Sequence, residues 1–234
     1  MAARSVLLAW SGGKDAAWTL HVLRQREDVA VVGLLATIAG DGRASMQGVA
    51  RAVLRAQAQA AGLPLLEVDV QAGSDNAAYL ERLAEGLSLA AARWPGLGTI
   101  AFGDLLLADV RAWREAQPAQ LGWRIETPLF GSATQALAAA MLRGGLRASL
   151  CCLDTQQLDA GYAGRQFDAA LLAALPGGVD HCGENGEFHT CVHDGPMFAA
   201  PLALARGATW LRDGRFAVTD FAVAAGAGTG PDAG

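Results

Sequence analysis

The stretch Val6-Leu7-Leu8-Ala9-Trp10-Ser11-Gly12-Gly13-Lys14-Asp15 decides the fold. An uninterrupted apolar run ends in a Gly-Gly turn, and a helix-like segment opens within a few residues, which predicts a strand buried on both faces, a tight turn and a helix. Such a turn suits an oxyanion. Gly12 and Gly13 let the backbone approach with its amides pointing inward, while the new helix offers unpaired N–H groups and the positive end of its dipole. Lys14 adds a full positive charge and Ser11 a hydroxyl. Asp15 is placed to hold a magnesium ion that bridges phosphates, because that hard cation prefers oxygen ligands. The spacing is neither Gly-x-x-x-x-Gly-Lys-Ser/Thr nor Gly-x-Gly-x-x-Gly, so generic kinases and nicotinamide enzymes lose ground. For the loop alone, an ordinary strand-to-helix turn is the alternative.

Outward from this loop, strand-like runs recur at Ser5 to Trp10, Ala30 to Thr37, Leu65 to Val70, Thr99 to Gly103 and Ala148 to Leu153, with a weaker one at Trp123 to Thr127. Helix-like segments run from Ala16 to Gln25, Gln47 to Ala61, Asn76 to Trp94, Leu105 to Gln117, Ala133 to Arg143 and Arg165 to Ala174. This alternation predicts an α/β fold with a parallel sheet flanked by helices. After Leu175-Pro176-Gly177-Gly178 the helical periodicity stops, and Trp210 to Val218 reads as a hairpin around Asp213-Gly214, an antiparallel addition. Residues 225–234 have little to bury and are expected to be a disordered tail.

The 234 residues suit one main domain with a smaller C-terminal element. With 18 Lys and Arg against 23 Asp and Glu, a net charge of -5, the chain has no general basic surface, and a nucleic-acid partner is disfavoured. No apolar run reaches the ~18 residues of a membrane span. Arg4 leads straight into a strand-like run without a secretory apolar segment, so a cytoplasmic location is expected. Cys151, Cys152, Cys182 and Cys191 form no Cys-x-x-Cys pair and read as reduced, buried thiols.

Two further constellations carry chemistry. Phe102-Gly103-Asp104 closes the fourth strong strand, where ligands of open α/β sheets bind, and Asp104, Arg111 and Glu115 share a face of the expected helix that follows. A solvated pair is the alternative for Arg111 and Glu115. The denser cluster runs from Asp180 to Pro196 and holds three of the chain's four histidines. If Glu187 to Cys191 is extended, Glu187 and His189 share one face and make an acid-base pair or a polar substrate clamp. A metal site is the alternative, disfavoured by the lack of a second acidic or histidine cluster.

Ser-Gly-Gly-Lys-Asp after the first strand resembles the Ser-Gly-Gly-x-Asp-Ser signature of the N-type ATP pyrophosphatases, with Ala16 in place of the last serine. Taken with Met46-Gln47-Gly48-Val49, Phe102-Gly103-Asp104, Arg111, Arg114-Glu115, Pro128-Leu129-Phe130-Gly131 and Gly183-Glu184-Asn185-Gly186-Glu187-Phe188-His189-Thr190, the chain is similar to the diphthine-ammonia ligase family from about Ser5 to Leu202. The resemblance implies a five-stranded, Rossmann-like parallel sheet of the PP-loop kind over residues 1–130. It also implies a smaller C-terminal α+β domain over 131–224 that closes over ATP.

It implies chemistry as well. A carboxylate attacks the α-phosphate of ATP to give an acyl adenylate, and ammonia displaces AMP to form an amide. ATP and magnesium would be held by Ser11, Gly12, Gly13, Lys14, Asp15, Thr37, Gly103 and Asp104, with the metal on Asp15. Lys14, Asp15, Glu184, Glu187 and His189 would be catalytic, and Arg111, Arg114, Glu115, Asn185 and Thr190 would meet the acceptor. The diphthine ligases tend to read Gly-Glu-Gly-Gly-Glu, then an aromatic residue, Glu and Thr. Asn185 and His189 depart from that pattern and leave the acceptor, small molecule or protein side chain, unassigned. A tRNA-modifying enzyme of the same loop type and a non-catalytic nucleotide sensor are the alternatives, and a homodimer is compatible with the sequence.

Overall fold

The structure is a computed structural model and describes residues 3–45, 47–71, 76–105 and 122–224. Residues 106–117 of the expected helix over 105–117, Arg111, Arg114 and Glu115 among them, together with Met46 and the tail 225–234, lie outside the described residues. Five strands, β1 (Arg4–Ala9), β2 (Val29–Ala39), β3 (Leu65–Val70), β4 (Thr99–Ala101) and β5 (Arg124–Glu126), form a parallel sheet in the order β3-β2-β1-β4-β5. The fold class is thus the α/β class read from the sequence. Its order turns back at β1, which puts the topological switch point between the carboxyl ends of β1 and β4.

Alternate side chains of these strands feed two cores. Val6, Leu8, Leu34, Ala36 and Ile38 pack against helices α1 (Lys14–Arg24) and α2 (Arg51–Ala60). Leu7, Leu35 and Ile100 face the other way, onto Leu83, Leu87 and Ala90 of α3 (Asn76–Arg93). Each fully buried Leu or Ile contributes about 2 kcal/mol relative to an exposed one, so the strands read as apolar on both sides.

The run at Ala148 to Leu153 corrects one expectation. It is not a strand of the parallel sheet, whose fifth member is the weaker run at β5. It lies instead in β6 (Arg147–Asp154), at the heart of a second, antiparallel sheet with β7 (Phe188–Asp194), β8 (Leu204–Arg212) and β9 (Phe216–Val223), ordered β7-β6-β9-β8. Strands buried on both faces look alike in sequence whichever sheet they join, and β6 is buried from Ala148 to Asp154. The Asp213-Gly214 turn does join β8 to β9, with positive φ at both residues, 54° and 64°, as a two-residue hairpin turn requires.

Two helices start later than their periodicity suggests. Residues 47–50 form a turn whose Ala50 bridges Arg43, so α2 begins at Arg51. Gln166 bridges Ser149, and Asp168 caps the short α5 (Ala169–Ala174) through its side chain, leaving 165–168 extended or turned. Between them, α4 (Thr134–Arg143) packs Leu137, Ala138 and Met141 into the same core as α1.

The two sheets share a buried polar hub. The Gln57 side-chain amide of α2, wholly buried, donates to the carbonyl oxygens of Gly12 (3.0 Å) and Val192 (2.7 Å), and its oxygen accepts from Trp10 Nε1 (3.0 Å). Gln57→Met keeps the volume and removes every one of these bonds, leaving an indole N–H and two carbonyls with one partner fewer in a dry environment. The expected cost is about 3 kcal/mol, measured by urea unfolding.

A second polar anchor is pH-sensitive. Both oxygens of the buried Asp154 accept from Arg215, at 2.9 and 2.5 Å, and Gln157 Nε2 adds a bond of 3.0 Å. The Arg215 hydrogen bonds outweigh the effect of burial and hold the carboxyl well below the usual carboxylate range. A depressed folded-state pKa stabilises above the ordinary Asp value of about 4 and is lost as pH falls below it. Arg215→Gln therefore lowers stability at pH 6, and the gap to wild type shrinks steadily between pH 4 and pH 2 in chemical denaturation series.

Candidate functional site

The chain after β1 enters Ser11-Gly12-Gly13 and turns into α1, with Gly12 at φ +78°. A side chain at Gly12 would meet both a strained backbone and the Gln57 and Leu54 side chains 2.8 Å from its Cβ. Opposite, Phe102-Gly103-Asp104 leaves β4. A Cβ on Gly103 would stand 2.8 Å from the Asp15 carbonyl carbon and 2.9 Å from the Ala16 nitrogen, so glycine here lets the two loops touch backbone to backbone. The switch point thus becomes one continuous surface.

The phosphate-loop helix has no side-chain cap of its own. Its cap comes from the second sheet, where the hydroxyl of buried Thr190 accepts from the Lys14 amide at 3.0 Å. The hydroxyl missing at Ala16 is thus not the one that holds the first turn. Val192 N donates to Gly12 O at 3.0 Å, so β7 and the loop run edge to edge. The amides after Lys14 keep the first-turn freedom of a helix start, available to an anion.

Lys14 is only 2 % exposed. Its ammonium donates to Asp15 Oδ2 at 2.9 Å and to the Cys182 carbonyl, and lies 5.7 Å from the centre of the Phe188 ring. Burial opposes its charge, but Asp15 and its neighbours prevail and raise the pKa above the ordinary lysine value, so the ammonium persists at neutral pH. The other oxygen of Asp15, Oδ1, is buried with no hydrogen-bond partner among the described residues. An orphaned carboxylate oxygen beside a phosphate loop fits a magnesium ion held jointly with phosphates. Among the described residues no cluster of three or more His, Cys, Asp or Glu could hold a metal by itself.

The loop 180–187 is organised by two carboxylates. Asp180 Oδ1 accepts from the amides of Cys182 (2.7 Å) and Glu184 (3.3 Å), and Oδ2 accepts from Thr134 Oγ1 (2.5 Å). Glu187, 2 % exposed, accepts from the amides of Asp180 and Asn185 and from Asn185 Nδ2, each at 2.9 Å. Glu187 precedes β7 rather than sharing a face with His189, and its bonds hold the loop together. Glu184 is turned to the cleft instead. Burial, then the charges of Asp15, Asp180 and Asp104, push its carboxyl up to about 7 despite Lys14. His189 is pushed down to about 4 by burial and by the cations of Lys14 and Arg212, so it is neutral at pH 7.

A cleft of about 640 Å³ unites these parts. Ser11, Gly13, Lys14, Asp15, Thr37, Gly103, Asp104, Glu184, Asn185, His189 and Thr190 all line it. Of the residues singled out in the sequence, Gly12 and Glu187 are not among its lining: Gly12 turns its carbonyl to Gln57 and Val192, and Glu187 braces the loop. Arg111, Arg114 and Glu115 lie outside the described residues. Burial pushes the thiols of Cys182 and Cys191 up to about 12, so both are held in the protonated form at neutral pH. Gln57 escaped the sequence reading. Its signal is a lone amide on the buried stripe of α2, between Val53, Leu54 and Ala58.

No helix of the described residues is long and apolar enough to cross a membrane. Comparison with curated proteins gave no match. Family models do match: that of the diphthamide synthase N-terminal domain covers residues 3–124, and that of the diphthamide synthase C-terminal domain covers residues 134–218. The two matches take in most of both sheets and every residue lining the cleft, and the chain belongs to the diphthamide synthase family, as a PP-loop protein of the ATP-using kind.

Proposed function

We propose that the chain is an ATP-dependent ligase that adenylates a carboxylate, releases pyrophosphate, and converts the acyl adenylate to an amide with ammonia. One observation carries this reading: a phosphate loop with a charged lysine and a cleft-facing carboxylate of raised pKa line the same cleft, although they come from different sheets. A protein that only binds a nucleotide has no need of the second group.

The steps follow from the residues. Loop amides and the Lys14 ammonium receive the β- and γ-phosphates and stabilise the charge that develops as the bond from the α-phosphorus to the pyrophosphate oxygen breaks. Thr37, Gly103 and Asp104 border the nucleotide at the carboxyl ends of β2 and β4. Asp15 would hold magnesium through its unpartnered oxygen, and the metal supplies charge neutralisation between phosphates when bound. The acceptor's carboxylate oxygen forms the new bond to the α-phosphorus. In the second half, the nitrogen of ammonia attacks the acyl carbon, AMP departs with the acyl oxygen's electron pair, and Glu184 takes the surplus proton. A carboxylate with a pKa near 7 is a better base for this than an ordinary one. Neutral His189 orients the acceptor by hydrogen bonding, and Asn185 frames the same wall. Thr190 and Glu187 act one step back, as positioning residues.

Incubation with ATP, magnesium, ammonium and a panel of carboxylic acids is expected to give AMP and pyrophosphate, not ADP, by anion-exchange chromatography. Lys14→Ala with Asp15→Asn abolishes both nucleotide binding and product. Tight ATP binding without AMP under every condition would favour the sensor reading instead. The amide-forming half-reaction carries its own signature. Its rate, measured in single turnover, rises with pH through about 7 as Glu184 ionises, and Glu184→Gln loses this limb together with at least a hundredfold in rate.

A further inference from the structure

The second sheet places a cation beside His189 that the catalytic scheme does not use. Across the sheet, His189 pairs with Cys152, Cys152 with Val218 and Val218 with Trp210, while Asp154 pairs with Phe216 and Phe216 with Arg212. Paired residues share a face, and so do residues two apart on one strand, so His189, Cys152 and Arg212 stand on the same side of the sheet. Arg212, half-buried at the end of β8, lays its guanidinium 5.5 Å from the centre of the Phe216 ring and reaches back over β9 to within 3.9 Å of the Cys152 sulfur. Cys152 is the direct neighbour of His189.

Among the described residues this guanidinium has no anionic partner. The carboxylate closest in the pairing pattern, Asp154, has both oxygens taken by Arg215, with Gln157 and the Gln156 amide completing its shell. Among the described residues Arg212 makes no ion pair, only the thiol and ring contacts. A planar fork stacked on an aromatic ring with open donors is the usual receptor for a carboxylate or phosphate. Its direction also matters. The phosphate loop abuts the free edge of β7, and Arg212 approaches β7 from the opposite side through β9 and β6, so His189 stands between the two cations. The electrostatics agree, since Lys14 and Arg212 both depress the protonation of His189.

We propose that Arg212 and His189 form an anion subsite at the hairpin side of the cleft, and that the acceptor is a small acid carrying a second anionic group besides the carboxylate that is adenylated. The proposal rests on the ligase reading for the word acceptor, but the subsite itself does not. Neutral His189 donates a hydrogen bond to the acceptor, and Arg212 supplies the countercharge from beyond the cleft's lining. An acid of that kind would have its adenylated carboxylate at the Lys14 end and its second anionic group at His189, on the side that faces Arg212.

The test is titration of the full chain with glutarate, its single-carboxylate counterpart valerate, and phosphonobutyrate, with and without ATP and magnesium, following the His189 imidazole by NMR. Glutarate or phosphonobutyrate is expected to shift the His189 signals saturably and at least tenfold more tightly than valerate. The tighter of the two dianions identifies the second group as carboxylate or phosphate. Arg212→Gln abolishes this preference and Arg212→Lys restores it in part, while thermal melts confirm that both variants fold. Equal binding of valerate, no saturable shift with either dianion, or an unchanged preference in Arg212→Gln overturns the proposal. Failure of the ligase reading would look different: the dianion shift would persist while AMP never forms.

Discussion

The site depends on the bond between the phosphate loop and the second sheet. Gly12 offers one carbonyl oxygen to two donors, the Val192 amide and the Gln57 side chain, and Lys14 gives its amide to Thr190. These contacts are short, buried and separated by more than forty residues of sequence. Removing the Gln57 or Thr190 side chain leaves a backbone group of the loop one partner short in a buried place, so the loop's geometry is fixed by partners outside its own β-α unit. The family resemblance suggests a smaller domain that closes over ATP, but in this structure the loop is already hydrogen-bonded to that part of the chain. The candidate site is assembled from both sheets.

Electrostatics then sets the division of labour within the cleft. Asp15 and Glu184 act on the one buried ammonium of Lys14, and the charges of Asp15, Asp180 and Asp104 act in turn on Glu184. Asp180 is occupied by backbone donors and the Thr134 hydroxyl, and Lys14 is shared between Asp15 and the Cys182 carbonyl. Glu184 is left as the group on which burial and like charge fall most heavily. A carboxyl held near 7 is the outcome of that crowding, and it is also the property a proton acceptor at neutral pH requires.

Much of the fold was legible in the sequence, and the reasons are local. The apolar run before Ser11, the Gly-Gly turn and the Asp213-Gly214 hairpin are each governed by neighbours within a few residues, so their reading survives in three dimensions. The placement of β6 was not legible, because burial on both faces gives the same composition in a parallel or an antiparallel sheet. The site divides the same way. Lys14, Asp15 and Glu184, singled out by motif and spacing, line one cleft in the structure. The structural duties of Glu187 and Thr190 and the hub at Gln57 could not, since they consist of hydrogen bonds to residues distant in sequence. A buried glutamine in an apolar helix stripe is a visible anomaly, but its partners are not.

The second sheet has two edges, and the chain treats them differently. At β8 the strand is largely open, with Leu211 58 % exposed and Trp210 39 % exposed. At β7 the free edge is met by the phosphate loop, which takes up the Val192 amide as a neighbouring strand would. An open edge flanked by Phe188, Cys191 and Val192 would be a template for pairing with other chains. The phosphate loop therefore also serves as an edge guard, and a lesion that loosens it would expose a sticky strand in the same stroke that disorders the cleft.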